Sequence, residues 1–386
     1  MAVADSAQLS AGGRTAHERR LVMLRAMFLL LVLAPTAFAQ QKGWEKEWNE
    51  TLAAAKKEGR VAVAGSPDPV MRNDVIPKFT SRFGIQVEFI AGRASQYIAK
   101  VQTERSAGLY SVDIFMTGVD STVNTLYPEK LIDPLRPLMI IPEVVDPTKW
   151  KTGKLWFIDP EQRFVLRVFR SVTGLLFYNA DHVKAEEVRS PKDLLNPKWR
   201  GKISTDDPMV AGTGAANAAM LYAELGAEFV KRLYIDQKTV FSRERRQYTD
   251  WLARGTHPIC LNCREDDLKP LRQEGFKFVE VFEMSDISPR VNGSPWLLTL
   301  ANKAPHPNAA RVFANWIASK EGLETYSRGY GATTLRTDVD ESFLERGTVP
   351  RASVKYLDDT EWAWTVTGRR EAREKVQQLL REHGKK

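Results

Sequence analysis

The chain has 386 residues, of which 43% are hydrophobic and 27% are charged, and its formal net charge is +8. This length suggests more than one domain or one large two-lobed unit, and the balance of apolar and charged residues argues against wholesale disorder. No run of Lys and Arg has the density of a nucleic-acid-binding arm, and two cysteines are too few for a disulfide-rich scaffold. The surplus of positive charge favours an anionic ligand or surface.

The N-terminus has the layout of a secretory signal peptide. Basic residues up to Arg25 precede an uncharged apolar stretch over 26–39, which ends in an Ala-Phe-Ala cleavage pattern. The stretch is shorter than the roughly 20 residues of a membrane-spanning helix. We therefore expect cleavage near Ala39, a mature chain that begins near Gln40, and Met23 as an alternative translation start.

The first half of the exported chain alternates short apolar strands with helical segments. A helix is predicted over 44–59, and strands and helices then alternate over 60–65 (strand), 70–84 (helix), 85–92 (strand), 95–108 (helix, with Ser95 as N-cap) and 112–118 (strand). This alternation is typical of a parallel sheet covered by helices on both faces. A Pro-rich, extended region follows over 128–160.

The second half repeats the α/β pattern. A long apolar strand is predicted over 171–183, and one long helix over 212–234. Further strands are predicted over 257–262, 276–282 and 294–302. The pattern implies two α/β lobes, with a chain that crosses between them more than once.

Two kinds of candidate metal or catalytic residue occur. Cys260 and Cys263 form a C-x-x-C pair; we expect two unlinked thiols, with a local disulfide as the alternative, because a metal site would need more nearby ligands than His257. His306 lies between two prolines at the start of a predicted amphipathic helix. No second His or Cys lies close to it, so we expect His306 or Asn308 to satisfy the amides of that helix start.

Four stretches, in the same order along the chain, resemble the bacterial extracellular solute-binding proteins of ABC importers. They are AAAKKEGRVAVAGS, SPKDLLNPKWRGKI, WLARGTHPICLN and NKAPHPNAARVFANWIASKEGLETY. The resemblance covers roughly 44–340, and it is greatest for the subgroup that includes the ferric-iron-binding proteins.

The resemblance implies an α/β fold of the type II periplasmic binding class. Such a protein has two lobes, interlobe crossover strands and a central cleft. We therefore expect a signal peptide over 1–39, a first lobe built from 40–168 plus 285–320, and a second lobe built from 169–284 plus 321–386.

In such a fold the ligand lies in the cleft, among loops at the carboxyl ends of the strands. The loops of the first lobe supply six candidate ligand-binding residues: Ser66, Asp68, Arg93, Ser95, Thr117 and Gly118. In the second lobe, backbone N–H groups at a helix start are candidates for holding an anion, or else form a small-residue turn for close packing: Gly212, Thr213 and Gly214. Arginines at such positions clamp carboxylates or phosphates unless they are solvated or salt-bridged, and four are candidates: Arg93, Arg170, Arg246 and Arg264.

The resemblance also permits a test for iron. The ferric-iron-binding members of the family hold iron with a His, a Glu and two adjacent Tyr, and a bound anion completes the shell. The corresponding positions of this chain fall near Pro67–Asp68, Gly118–Val119 and Arg264–Glu265, and none of those ligands is present. Ferric iron prefers anionic oxygen ligands, which argues against an iron site here.

Three functions are weighed on these observations. A secreted enzyme is disfavoured because the chain has no G-x-S-x-G or H-E-x-x-H motif, and a ferric-iron carrier is disfavoured by the missing ligands. We expect a monomeric periplasmic receptor that binds a small anionic organic solute and delivers it to a membrane permease. We expect no cofactor, no metal and no nucleic-acid partner.

Overall fold

The structure, a computed structural model, describes residues 43–210, 212–293 and 295–385. The predicted signal peptide over 1–39 lies outside these ranges. Within them, no helix has both the length and the apolar character that crossing a membrane requires.

The chain divides into two compact units, Met1–Thr51 and Leu52–Lys386. Of the first unit the structure describes 43–51, where a helix (α1) begins that ends at residue 58. The second unit contains three β-sheets. These sheets and their covering helices position the candidate site.

The first sheet has the strand order β2-β1-β3-β12-β4. Its strands are β1 (Arg60–Gly65), β2 (Gln86–Ala91), β3 (Ile114–Thr117), β4 (Ile132–Asp133) and β12 (Leu297–Ala301). β1 pairs in parallel with β2 and β3, whereas β12 pairs antiparallel with β3 and β4. β3 and all of β1 but its first residue are buried, as expected of parallel strands covered on both faces. The predicted first three strands and the return strand over 294–302 are confirmed.

The second sheet has the strand order β10-β6-β9-β7-β8. Its strands are β6 (Leu176–Asn179), β7 (Ile203–Asp206), β8 (Val240–Ser242), β9 (Ile259–Cys260) and β10 (Phe278–Val281). β7 pairs in parallel with β8 and β9, whereas β6 pairs antiparallel with β9 and β10. The carboxyl ends of β7, β8 and β9 therefore lie along one edge.

A third sheet of three short strands has the order β13-β11-β5. These strands are β5 (Ser171–Thr173), β11 (Arg290–Asn292) and β13 (Leu357–Asp358). The single strand predicted over 171–183 is therefore wrong, because the chain leaves the third sheet after β5 and enters the second sheet at β6. The Gly174 amide between them donates to Glu280 Oε1 at 3.0 Å, and a Cβ on Gly174 would lie 2.2 Å from that oxygen. A side chain at this position would require Glu280 to move.

The helices cover the sheets and differ from the predictions at two points. They are α2 (Ile76–Phe83), α3 (Ala94–Ser106), α4 (Val119–Ser121), α5 (Pro142–Val145), α6 (Thr213–Lys231), α7 (Arg245–Ala253), α8 (Glu265–Gln273), α9 (Pro307–Ala318), α10 (Lys320–Tyr330) and α11 (Arg369–Glu382). α6 is kinked at Gly226, where φ is 82°, so the single helix predicted over 212–234 is interrupted. The N-cap of α3 is Arg93 rather than Ser95, because Gln96 Oε1 accepts a hydrogen bond from the Arg93 amide at 3.0 Å and thereby places the N-cap two residues earlier.

The last helices pack on different sheets. α9 contacts β1 and α10 contacts the π-helical turn Met71–Val75 that precedes α2, whereas α11 packs along α6. The two-lobe division with boundaries at 168, 284 and 320 stays a prediction. Gly329 of α10 lies so close to the first lobe that a Cβ on it would be 2.7 Å from Val70. This contact argues for moving the lobe boundary at 320 to a position beyond Tyr330.

His306 has a structural role, as the sequence indicated. Its amide donates to Asp113 Oδ1 at 2.6 Å, and its Nδ1 lies 2.9 Å from Asp113 Oδ2. Asp113 is fully buried. The predicted caps of α9 are wrong, however, because the amides of Asn308 and Ala309 donate to the Glu58 carboxylate at 3.2 and 2.7 Å.

Cys260 and Cys263 form a disulfide, so the expectation of two unlinked thiols is wrong. Their Cα atoms lie 5.6 Å apart, within the range that a disulfide bridges. β9 ends at Cys260 and α8 begins two residues after Cys263. The turn between them brings the two side chains together, and the spacing alone does not determine that turn.

Candidate functional site

The candidate site begins at the carboxyl edge of the first sheet. β2, β1 and β3 are parallel neighbours, so the loops that follow them lie side by side. The six candidate residues of the first lobe lie in these loops or directly beside them, with Thr117 at the end of β3 and Ser95 in the first turn of α3: Ser66, Asp68, Arg93, Ser95, Thr117 and Gly118. The sequence therefore identified one contiguous edge in this half of the protein.

Asp68 is already engaged in the fold. Its Oδ1 accepts from the Val70 amide at 2.8 Å, and its Oδ2 accepts from the Tyr326 hydroxyl. Burial and the neighbouring Asp68 carboxylate raise the pKa of Tyr326 well above its ordinary value. Asp68 therefore links the loop after β1 to α10, and a ligand would have to compete with these partners.

Arg93 and Ser95 are exposed at the start of α3. Arg93 is the N-cap residue of α3, so its side chain projects from the segment between β2 and this helix. An exposed guanidinium at this edge can form two parallel hydrogen bonds with a carboxylate or phosphate.

The loop after β3 combines a buried hydroxyl and an open glycine. The Thr117 side chain is buried and accepts from the Tyr97 hydroxyl at 2.5 Å. Gly118 is the exposed N-cap of α4, and a Cβ there would meet no atom within 4 Å. Beyond it, Asn124 Nδ2 donates to Asp120 Oδ1 at 2.9 Å. Thr117 therefore anchors the loop to the buried part of the lobe, while Gly118 and Asp120 are exposed.

In the second lobe, the start of α6 is capped by the chain itself. Asp206 Oδ2 accepts from the Gly214 amide at 2.9 Å and from Thr213 Oγ1 at 2.7 Å. Of the predicted anion cradle from Gly212 to Gly214, the Gly214 amide is therefore already occupied by a carboxylate of the chain. A carboxylate at a helix N-terminus is favoured by the helix dipole, and here Asp206 supplies it.

Asn262 is a residue that the sequence analysis missed. Its side chain accepts from Thr205 Oγ1 at 2.5 Å and donates to the Thr213 backbone oxygen at 3.4 Å. It thus joins the ends of β7 and β9 to the start of α6. Its position directly after an apolar strand was a usable signal.

Arg246 and Arg264 lie on the same edge of the second sheet. Arg246 is exposed near the start of α7, and Arg264 is the half-buried N-cap of α8. Buried Tyr248 lies near them: burial first, and the Asp206 carboxylate second, raise the pKa of Tyr248 to about 12. This phenol therefore stays protonated at neutral pH and is available as a hydrogen-bond donor.

Arg170 belongs to neither edge. It precedes β5 in the third sheet, its Nε lies 4.0 Å from Asp358 Oδ2, and its guanidinium lies 5.6 Å from the Tyr356 ring centre. The neighbouring Arg167 is fully buried and donates to Asp358 Oδ2 at 2.7 Å. Arg170 is therefore separated from the other three candidate arginines and pairs with a carboxylate of the chain.

The side chains of the candidate site can be compared with the requirements of a metal ion and of an anion. Across the described ranges, no group of three or more His, Cys, Asp and Glu is placed to hold a metal ion. The positions that the resemblance places near iron ligands are Pro67–Asp68, Gly118–Val119 and Arg264–Glu265, and this assignment stays a prediction. The edges can instead offer guanidinium, hydroxyl and amide donors, which suit an oxygen-rich anion.

Comparison with known proteins identifies relatives in two ways. The model of the family "Bacterial extracellular solute-binding protein" matches residues 74–346. Iron uptake protein A1 of Synechocystis is 23% identical over 131 residues, which are 34% of this chain and 33% of that protein. The alignment thus spans about a third of that relative's length.

Solved structures agree with the fold. Iron-bound HitA from Pseudomonas aeruginosa matches with a TM-score of 0.60 at 15% identity, over 84% of this chain and 99% of that one. The periplasmic binding protein AfuA from Actinobacillus pleuropneumoniae, with fructose-6-phosphate bound, matches with a TM-score of 0.60 at 17% identity, over 84% and 98% of the two chains. At these identities the likeness establishes the two-lobed α/β fold. Since the family match covers more than half of the sequence, the chain belongs to the bacterial extracellular solute-binding proteins.

Proposed function

We propose that this protein binds a small anionic organic solute between its two lobes and delivers it to the membrane permease of an ABC transporter. The observation that carries the proposal is the arrangement of strand ends. In each of two sheets, three parallel strands (β2-β1-β3 and β9-β7-β8) end in loops that hold arginines and helix starts. Ligands of α/β proteins bind at such carboxyl edges.

The anionic nature of the solute is inferred from the donors at the two edges. Arg93 in the first lobe and Arg246 in the second are exposed, and Arg264 lies between the disulfide and α8. Because Asp206 already caps α6, we place the anion of the solute on the arginines first. The Gly214 amide becomes available only if Asp206 moves.

The place and state of action are part of the same proposal. The apolar stretch over 26–39 with its basic flank supports export through a signal peptide cleaved near Ala39, and the family supports the periplasm. The protein acts as a monomer whose lobes, 40–168 plus 285–320 and 169–284 plus 321–386, move about the third sheet. α10 is the exception to these boundaries, because it packs against α9 and the turn Met71–Val75, which belong to the first lobe.

A thermal-shift screen of the mature protein against small carboxylates and phosphate esters is the first test. A ligand at 100 times its dissociation constant adds about 2.7 kcal/mol to stability. Calorimetry with the solute found then compares Arg93→Ala and Arg264→Ala with the wild type. Each change should weaken binding by about 1.5–3 kcal/mol, the range for a lost charge-assisted hydrogen bond. Arg→Lys changes should also lose affinity, because lysine cannot form the two parallel hydrogen bonds.

Two matched controls use exposed arginines away from the carboxyl edges. Arg82 lies in the last turn of α2 and Arg254 is the C-cap of α7, and replacing either by Ala removes the same charge. These variants should bind like the wild type. Unchanged affinity in both Arg93→Ala and Arg264→Ala would remove the proposed clamp.

Ferric iron is the second candidate, because HitA, a protein of the same fold, is iron-bound. The residues at the corresponding positions do not favour it. We expect no visible tyrosinate-to-iron absorption band when ferric citrate is added to the mature protein. A stable band that follows one equivalent of iron would reverse this assignment.

A further inference from the structure

The segment of chain that follows the matched family region runs beside both lobes. The family match ends at residue 346, and the chain then forms β13, residues 359–368 and α11. β13 extends the third sheet, because the Leu357 amide donates to the Pro289 carbonyl at 2.9 Å and the Asp359 amide donates to the Val291 carbonyl at 2.9 Å. The segment therefore starts at the third sheet. In the sequence, β5 of this sheet lies between β4 of the first sheet and β6 of the second.

On one side, the segment is anchored in the core of the second lobe. Val376 and Leu380 of α11 are 1% and 0% exposed, and they belong to the same apolar cluster as Ile203 of β7. Trp364 packs against that cluster. Gln377 Nε2 also donates to the Met209 carbonyl at 3.1 Å. This end moves with the second sheet.

On the other side, the segment contacts the first lobe. The Trp362 ring lies 4.9 Å from the Tyr127 ring at an angle of 79°, an edge-to-face pair. Tyr127 packs against the apolar cluster of the first sheet, which includes Phe115 and Leu126. Trp362 thus carries a contact from the anchored segment to the first lobe.

A hydrogen-bond chain extends this contact to the candidate site. Asn124 Nδ2 donates to the Thr365 carbonyl at 3.4 Å and to Asp120 Oδ1 at 2.9 Å. Thr365 is fully buried, with its hydroxyl donating to the Glu361 carbonyl at 2.9 Å. One amide group therefore joins the segment to the loop after β3.

Two adjacent carboxylates hold the base of the segment. Asp359 lies 3.7 Å from the Arg290 guanidinium of β11 and 3.6 Å from that of Arg369 at the start of α11. Asp358 accepts from buried Arg167 on the opposite side. The segment is thus fixed at its base and at α11, and it meets the first lobe between these points.

We infer that residues 359–368 form an interlobe strap that holds the two lobes together and sets their separation in the ligand-free protein. The inference rests on the proposed function only in placing the solute between the lobes. Contacts that join the lobes favour the arrangement in which both carboxyl edges reach one solute. Because apparent affinity scales with the population of that arrangement, the strap also strengthens binding.

The test measures the distance between the lobes without any solute. Spin labels are attached at Thr103→Cys on α3 and Gln273→Cys on α8, both exposed, while the native cysteines are joined to each other. Pulsed electron paramagnetic resonance then compares the wild type with Trp362→Ala. The variant should show a distance distribution shifted to longer values. Once a solute is known, its affinity for the variant should fall by about threefold to tenfold, the range for a lost aromatic pair.

Two further variants make the result decisive. Tyr127→Leu removes the same ring pair from the first lobe, so it should give the same shift even if Trp362→Ala does not fold. Trp251→Ala removes a ring that packs on His257 within the second lobe, and it should leave the distance unchanged. Equal distance distributions in the wild type and the folded strap variants would overturn the inference. If the strap variants show the longer distances but the thermal-shift screen identifies no solute, the result supports the strap and counts against the proposed function.

Discussion

Glu280 should make the stability of this protein fall as the pH rises through neutrality. The residue is half-buried beside the break between β5 and β6, where its Oε1 accepts from the Gly174 amide at 3.0 Å. Burial is the main cause that raises the pKa of Glu280 from 4.5 to about 7. Glu345 and Glu265 raise this pKa further, whereas the Gly174 amide and Arg272 lower it.

The sign of the effect follows from proton linkage. The folded protein holds the proton of Glu280 more tightly than the unfolded chain does, so the stabilisation is complete below the unfolded pKa and is lost as the pH rises through the folded one. At about 1.4 kcal/mol for each unit of pKa difference, the free energy of unfolding should fall by about 2–3 kcal/mol between about pH 5 and pH 8. Glu280→Gln retains an acceptor for the Gly174 amide and cannot ionise. This variant should therefore lack that part of the decline.

Urea unfolding across this pH range measures the free energy of unfolding of both proteins. Glu274→Gln, an exposed change near the end of α8, is the matched control because it alters the net charge equally. The control should follow the wild-type pH profile. If Glu280→Gln also follows that profile, the carboxyl is not held protonated by its surroundings, and the reasoning from its burial fails.

Three other changes test the contacts described above. Asp206→Ala removes the cap of α6 and should lower the free energy of unfolding by about 0.5–2 kcal/mol, measured by urea titration. Asp206→Asn should retain most of this stabilisation, because Asn is also a capping residue. His306→Ala should cost about 1–3 kcal/mol in the same assay because buried Asp113 loses a hydrogen-bond partner, and an equal loss on changing the tail residue His383 would contradict this. Replacing Cys260 and Cys263 by Ser should cost roughly 2 kcal/mol, the chain-entropy value for a loop of this length, and dithiothreitol should lower the stability of the wild type but not of the double variant.

Elements that depend on neighbouring residues could be predicted from the sequence. The strands β1 and β3 are short apolar runs, and α9 is an apolar helix that is buried from Ala309 to Ala318 except at Arg311. Hydrophobic periodicity reports which face of an element is buried, and this depends on the chain only a few residues away. The order of four local motifs was sufficient to indicate the family, which the match over 74–346 confirmed.

Tertiary structure decided the features that depend on distant residues. At the break between β5 and β6, Glu280, more than a hundred residues later in the chain, occupies the space that a side chain at Gly174 would fill. The helix start at Gly214 reads as an open anion site until the fold brings Asp206 against it. A backbone amide bonds to whichever acceptor the packed chain brings nearest, and sequence pattern does not specify that partner. For this reason the sequence by itself determined the α/β elements and the family, whereas only the folded chain decided which donors at the two edges are already satisfied and which are left exposed to a solute.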